Sequence, residues 1–90
     1  KIDIQEQKDG SYLIDGSAAI REINKKLSWD LPLEGPVTLN GLILEKIQTI
    51  PESNVSINLN NYLIETVLIK DNMIKFAKIL KLSVSEPKED

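Results

Sequence analysis

The chain predicts an α+β domain, a mostly antiparallel sheet with two helices packed on one face. Three observations point there. Val55-Ser56-Ile57-Asn58-Leu59 alternates apolar and polar residues, the mark of a half-buried strand. Asn60-Asn61 separates it from a β-rich return run, Tyr62 to Ile69, and Asn tolerates the left-handed backbone of a two-residue hairpin turn. Upstream, two stretches carry apolar residues at three- and four-residue steps, so each has one apolar helical face. Strands in sequence joined by short turns, with helices before them, favour a sheet that keeps its helices to one side.

Length and composition set the frame. Ninety residues make one domain with a modest core. A hydrophobic fraction of 41% is that of a folded chain, so disorder is expected only at the ends. The domain is placed over residues 1–82, with a polar, disordered tail over 83–90. The chain has no cysteine and no histidine, which removes the thiol nucleophile and the commonest general base. Nothing in the spacing of the remaining groups marks a catalytic pair, so no enzyme is expected. The net charge of −3 is spread among interspersed acids and bases, which argues against a nucleic-acid partner. No apolar run approaches the roughly 20 residues of a membrane-spanning helix, and no signal-peptide pattern occurs, so direct membrane insertion is not expected. The first residue is Lys1 rather than Met, which suggests a piece of a longer protein.

The elements follow in order. Lys1 to Lys8 alternates weakly around Ile2 and Ile4 and reads as an edge strand. Asp9-Gly10 is a turn. Ser11 to Ile14 is a short strand ended by Asp15-Gly16, where glycine permits positive φ. Ser17 is the expected cap of a helix from Ala18 to Leu27, with Ala19, Ile20, Ile23 and Leu27 on its apolar face. Ser28 to Val37 is a loop that Trp29, Leu31 and Leu33 pin to the core.

The second helix is the centre of the chain. Leu39, Leu42, Ile43, Ile47 and Ile50 share one face, and Leu44 widens it. Thr38 is its N-cap and Pro51 closes it. Gly41 costs roughly 1 kcal/mol against alanine inside a helix, so the spacing predicts a neighbour packed closely on it.

In the hairpin, Leu59 faces Tyr62, Ile57 faces Ile64 and Val55 faces Thr66, all on the core face. Asp71-Asn72 turns the chain into a last strand, Met73 to Leu82. A two-residue turn there sets Leu68 against Lys75 on the core face, a poor match. A three-residue loop or a bulge would repair it, and the residues do not choose between them. Period two sends Leu63, Val67 and Ile69 to the opposite face, with Phe76 or Leu80 joining according to that register. So much apolar surface marks a protein interface unless the first strand and the Trp29 loop fold over it.

Other candidate sites have plain structural readings. Asn40 and Gly41 open a helix and could offer N–H groups to a phosphate, but no Lys or Gly-rich run accompanies them, and a cap with close packing fits better. Asp9, Asp15 and Asp71 could approach a hard cation, yet they lack metal-loop spacing and sit in turn pairs, so no metal site is expected. Tyr12 and Trp29 could stack on a flavin or adenine ring, but a lone loop Trp more often plugs the core.

Several segments recur together in one known family. They are Tyr12-Leu13-Ile14-Asp15-Gly16 before a helix, Thr38-x-x-Gly41-Leu42-Ile43-Leu44, Ile50-Pro51-Glu52, and strands ending near Asp71 and Ile74. In order and spacing the chain resembles the transporter-associated domain at the C-terminus of CorC and HlyC proteins, which are magnesium/cobalt efflux proteins and hemolysin-like relatives. The resemblance covers Asp9 to Leu82. It departs at Asn40, Asn54 and Asn61, at or near positions where family members usually carry glycine.

The resemblance implies a fold like that of FAD-binding domains and a regulatory role in ion transport, and the residues, with no catalytic pair and no phosphate cradle, add the expectation that the role is non-catalytic and needs no cofactor. The resemblance also implies neighbouring CBS and membrane domains as partners and a place in the cytoplasm or on the cytoplasmic side of the cell membrane, while the surplus apolar face offers a second copy of the chain as another partner. The alternative it leaves is a small-molecule module for an adenine nucleotide or flavin, an inference from fold alone.

Overall fold

In the computed structural model, which describes residues 3–82, the strands form one antiparallel sheet in the order β1-β2-β5-β4-β3. β1 is Ile4–Glu6, β2 Tyr12–Asp15, β3 Ser56–Leu59, β4 Tyr62–Lys70 and β5 Met73–Lys81. The helices are α1, Ile20–Leu27, and α2, Leu39–Ile47. Lys1, Ile2 and the tail expected over 83–90 lie outside the described residues.

The β3–β4 hairpin keeps the predicted register, with Leu59 opposite Tyr62 and Ile57 opposite Ile64. Thr66 N–H donates to the Val55 carbonyl at 2.9 Å, which extends the register by one pair. The type I′ turn expected at Asn60-Asn61 is not fully formed, because only Asn60 takes a positive φ, 55°. Asp71 and Asn72 both do, at 56° and 60°, and make the tighter turn between β4 and β5.

That turn joins Lys70 to Met73, and a pair of compensating register shifts follows. Ile69 pairs with Ile74, Leu68 with Phe76 and Thr66 with Ala77, so Lys75 on one strand and Val67 on the other have no partner. The poor match of Leu68 with Lys75 is thereby removed. The shift also changes which side chains face the core. Ile74 is buried and Ile69 packs against the core, whereas Leu68 is exposed. Period two had put Leu68 inside and Ile69 outside, and the bulge reverses both.

The core lies between one sheet face and the helices. Ile14, Ala77, Ile79, Ile64 and Tyr62 come from the sheet, and Ile20, Ile23, Leu39, Leu42 and Ile43 from the helices. α1 starts later than expected. Ala19 occupies its cap position without a side-chain bond, and Ser17 Oγ instead donates to Asp15 Oδ1 at 2.8 Å. α2 stops three residues short of Ile50 at a left-handed Gln48, whose N–H reaches the Leu44 carbonyl at 2.7 Å, and Ile50 is exposed. Its predicted start holds, since Thr38 Oγ1 accepts from Gly41 N–H at 3.1 Å.

The 28–37 loop lies on the helix side of the sheet. Trp29 packs between Tyr12 and Tyr62, with ring centroids 5.6 and 5.1 Å away. Leu31 is buried, held by paired bonds from its N–H to Asn24 Oδ1 and from Asn24 Nδ2 to its carbonyl. Leu33, expected to pin the loop, is exposed instead.

Candidate functional site

The α2 N-terminus is where a phosphate would have to sit. Its first donors are already taken. Leu39 N–H donates to the Ala18 carbonyl at 3.0 Å, Asn40 N–H to the Gly16 carbonyl at 2.7 Å, and Gly41 N–H to the Thr38 hydroxyl. Asn40 Oδ1 in turn accepts from Ile74 N–H at 2.7 Å. A Cβ on Gly41 would sit 3.0 Å from Pro36 Cβ, so the close neighbour expected there is Pro36. Asn40 and Gly41 are thus brought together by a cap, a loop and the bulge of β5. None of those contacts leaves a donor directed at a ligand.

The aspartates are dispersed. Asp9 Oδ1 accepts from Ser11 N–H at 3.0 Å and from the buried Ser11 hydroxyl at 2.5 Å. These bonds hold its carboxyl below the ordinary value. Asp15 Oδ1 makes the same pair of bonds to Ser17. Both are side-chain turns. No group of three or more potential ligands that could hold a metal ion occurs among the described residues.

Trp29 meets Tyr12 edge-on, at 84° between ring planes, and Tyr62 at a tilt of 49°. Tyr62 OH donates to Asp30 Oδ1 at 2.6 Å and accepts from Asp30 N–H at 2.9 Å, which latches the loop to β4. Burial first, and then the bond to the Asp30 carboxylate, push the Tyr62 hydroxyl above its ordinary value.

The other face of the sheet carries the feature left over. Cross-strand pairs point to the same side, so the register sorts this face without ambiguity. One row runs Gln5, Leu13, Lys78, Glu65, Ser56, and a second runs Leu80, Leu63, Asn58. Asp15, Phe76 and Leu68 form a third. Leu13, Leu63, Leu80, Phe76 and Leu68 thus share this face with the polar Gln5, Asp15, Ser56, Asn58, Glu65 and Lys78, and Lys70 and Met73 follow at its end. Lys78 Nζ stands 3.8 Å from Asp9 Oδ2 and 3.9 Å from Glu65 Oε1. Val67, in the bulge, is 41% exposed and Leu68 is 45% exposed. Neither helix nor the Trp29 loop covers this face, because all three pack on the other side.

Of the residues expected there, Leu63 lies on this face and Val67 at its edge, while Ile69 belongs with the core. Phe76 and Leu80 both join, and Leu13 was missed. Only the pairing of β2 with β5 places it there, because those strands are far apart in sequence.

The family model described as the transporter-associated domain, CorC_HlyC, matches residues 5–83. The chain belongs to the CorC/HlyC transporter-associated domain family.

This transporter-associated domain is similar to parts of longer bacterial proteins. A UPF0053 protein of Haemophilus influenzae is 44% identical over 80 residues, covering 89% of this chain and 19% of that protein. The UPF0053 inner membrane protein YfjD of Escherichia coli is 40% identical over 89 residues, covering 93% of this chain and 21% of that protein. The chain therefore spans about a fifth of the length of these relatives.

Among solved structures, a functionally unknown conserved protein from Haemophilus influenzae superposes with a TM-score of 0.83 at 44% identity, over 89% of this chain and 99% of that one. The transporter-associated domain from Nitrosomonas europaea gives 0.77 at 28% identity, over 90% of this chain and 98% of that one. The sheet-and-two-helix architecture of this transporter-associated domain is thus that of its family.

Proposed function

We propose that this transporter-associated domain is a non-catalytic regulatory module of a membrane ion-transport protein, docked through its open sheet face onto neighbouring domains on the cytoplasmic side. The observation that carries this reading is the uncovered field of Leu13, Leu63, Leu68, Phe76 and Leu80. A sheet face left to water usually alternates to polar residues, and five large apolar side chains among the polar ones are a surplus for such a face. Support for the membrane context is that one relative, 40% identical, is described as an inner membrane protein. Support for a link to divalent ions is that a related domain from a Xylella fastidiosa hemolysin, 25% identical, was solved with Mg and Mn. In this chain Asp9 and Glu65 on the open face share Lys78, which lies 3.8 and 3.9 Å from them and offsets one of their two charges.

The alternative, a nucleotide or flavin module, gains no specific observation, since the first donors of α2 are occupied and Trp29 packs against Tyr12 and Tyr62.

The test is made in the intact protein. Leu63→Lys with Leu80→Lys should change ion flux across the membrane while protein level and membrane insertion stay normal. Unchanged flux, together with unchanged proteolytic protection of the domain, would overturn the reading.

A further inference from the structure

A separate feature concerns the edges of the sheet. β1 and β3 are the two edge strands. Edge strands expose unpaired backbone donors and acceptors, and proteins commonly guard them with charge, proline or short length. β1 is guarded: it is three residues long and the chain around it carries Asp3, Glu6 and Lys8. β3 is not. From Asn54 to Leu63 the chain contains no charged residue and no proline.

The backbone phase of β3 is fixed by its hairpin. Val55 directs its carbonyl toward β4, where Thr66 N–H donates to it at 2.9 Å. In an antiparallel pair this direction repeats every second residue, so Ile57 and Leu59 also bond inward. Ser56 and Asn58 then direct their N–H and carbonyl groups out of the sheet. Both residues are exposed.

We propose that β3 pairs with β3 of a second copy of this chain, antiparallel, about a two-fold axis through Ile57. Three features of the strand select that partner and register. First, this axis sets Ser56 opposite Asn58 of the second copy and Asn58 opposite its Ser56, so every outward group of β3 finds a complement. Moving the axis to Asn58 would require the left-handed Asn60 to act as a strand residue. Moving it to Ser56 would set Asn58 against Asn54, which lies outside β3. Second, the side chains are self-complementary. Val55 meets Leu59, Ile57 meets Ile57, and the polar Ser56 and Asn58 meet each other on the opposite face. Third, the axis is perpendicular to the sheet, so the helix layers of both copies lie on one side. α2 lies over β5, two strands in from this edge, and leaves the approach open. The two open leucine faces become continuous on the other side. This contact is independent of the sheet-face docking proposed above, and either can fail without the other.

The chain has no cysteine, which makes the register directly testable. Ile57 would face its own copy in a non-hydrogen-bonded pair with Cα atoms about 4.5 Å apart, within disulfide reach. Asn58 and its copy would be displaced by two residues, roughly 7 Å along the strand as well as across it, beyond that reach. Under mild oxidation Ile57→Cys should shift from monomer to disulfide dimer, while the more exposed Asn58→Cys should stay monomeric. Random collision would give the reverse order, and that order would overturn the proposal. Asn58→Pro removes only an outward N–H, so circular dichroism should be unchanged while the concentration-dependent dimer seen by sedimentation is lost. Wild-type chain that stays monomeric at millimolar concentration, or Asn58→Pro that dimerises as well as wild type, would also overturn it.

Discussion

Asn40 Oδ1 accepts a hydrogen bond from the backbone N–H of Ile74 at 2.7 Å, across 34 positions of sequence. The bond ties the first turn of α2 to β5 beside the bulge, where Lys75 has no cross-strand partner. Gly16 completes the joint, since its N–H donates to the Lys75 carbonyl at 2.7 Å and its carbonyl accepts from Asn40 N–H. A residue marked by sequence as a ligand candidate is thus placed to hold three segments together. Asn40→Ala should cost about 1–3 kcal/mol, the penalty for a buried donor left unmade. Asn40→Asp keeps an acceptor in place and should cost less. Urea unfolding of the two variants checks the order, and equal losses would argue against the bond.

The two helix-side glycines should respond differently to added bulk. A Cβ on Gly41 would press on the side chain of Pro36, whereas one on Gly16 would run into the Ile74 carbonyl oxygen. Side chains yield more readily than a paired backbone. Gly41→Leu should lower stability by about 1–3 kcal/mol through overpacking. Gly16→Ala should be more damaging than Gly41→Ala in the same unfolding assay, despite the identical change in volume.

Tyr62 offers a pH test. Its hydroxyl is raised above the ordinary value of 10.0, chiefly by burial and then by the Asp30 bond. The folded chain therefore holds this proton more tightly than the unfolded chain. The contribution is complete below the unfolded value and is lost as pH rises from there through the higher folded value. Stability measured by denaturation should decline above about pH 10 in wild type and decline less in Tyr62→Phe.

The bulge makes neighbouring residues unequal. Val67→Lys places its charge in water and should stay within about 0.5 kcal/mol of wild type, as surface changes usually do. Ile69→Lys buries a charge against the core and should destabilise strongly. Comparable unfolding of both variants would mean that the register shift is misplaced.

Ligand binding provides a fifth check. Because the first α2 donors and the Trp29 ring are engaged, calorimetry with FAD or ATP should give no heat of tight binding. Micromolar affinity for either would favour the nucleotide reading and require the loop or helix start to rearrange.

Local signals carried much of this fold. The alternation of Val55 to Leu59, the Asn60-Asn61 turn, the apolar helical faces and the Thr38 cap depend on residues a few positions apart, and the sequence alone determined them. Periodicity also determined that Leu63 leaves the core. What only the tertiary structure decided involves partners distant in the chain. β2 joins β5, so Leu13 enters the open face. The bulge turns Ile69 inward and Leu68 outward because Gly16 and Asn40, from other segments, take up the backbone groups it releases. Gly16 itself looked like a turn residue chosen for positive φ. Its actual constraint is the carbonyl of Ile74, and no local pattern can reveal a strand that arrives 58 residues later.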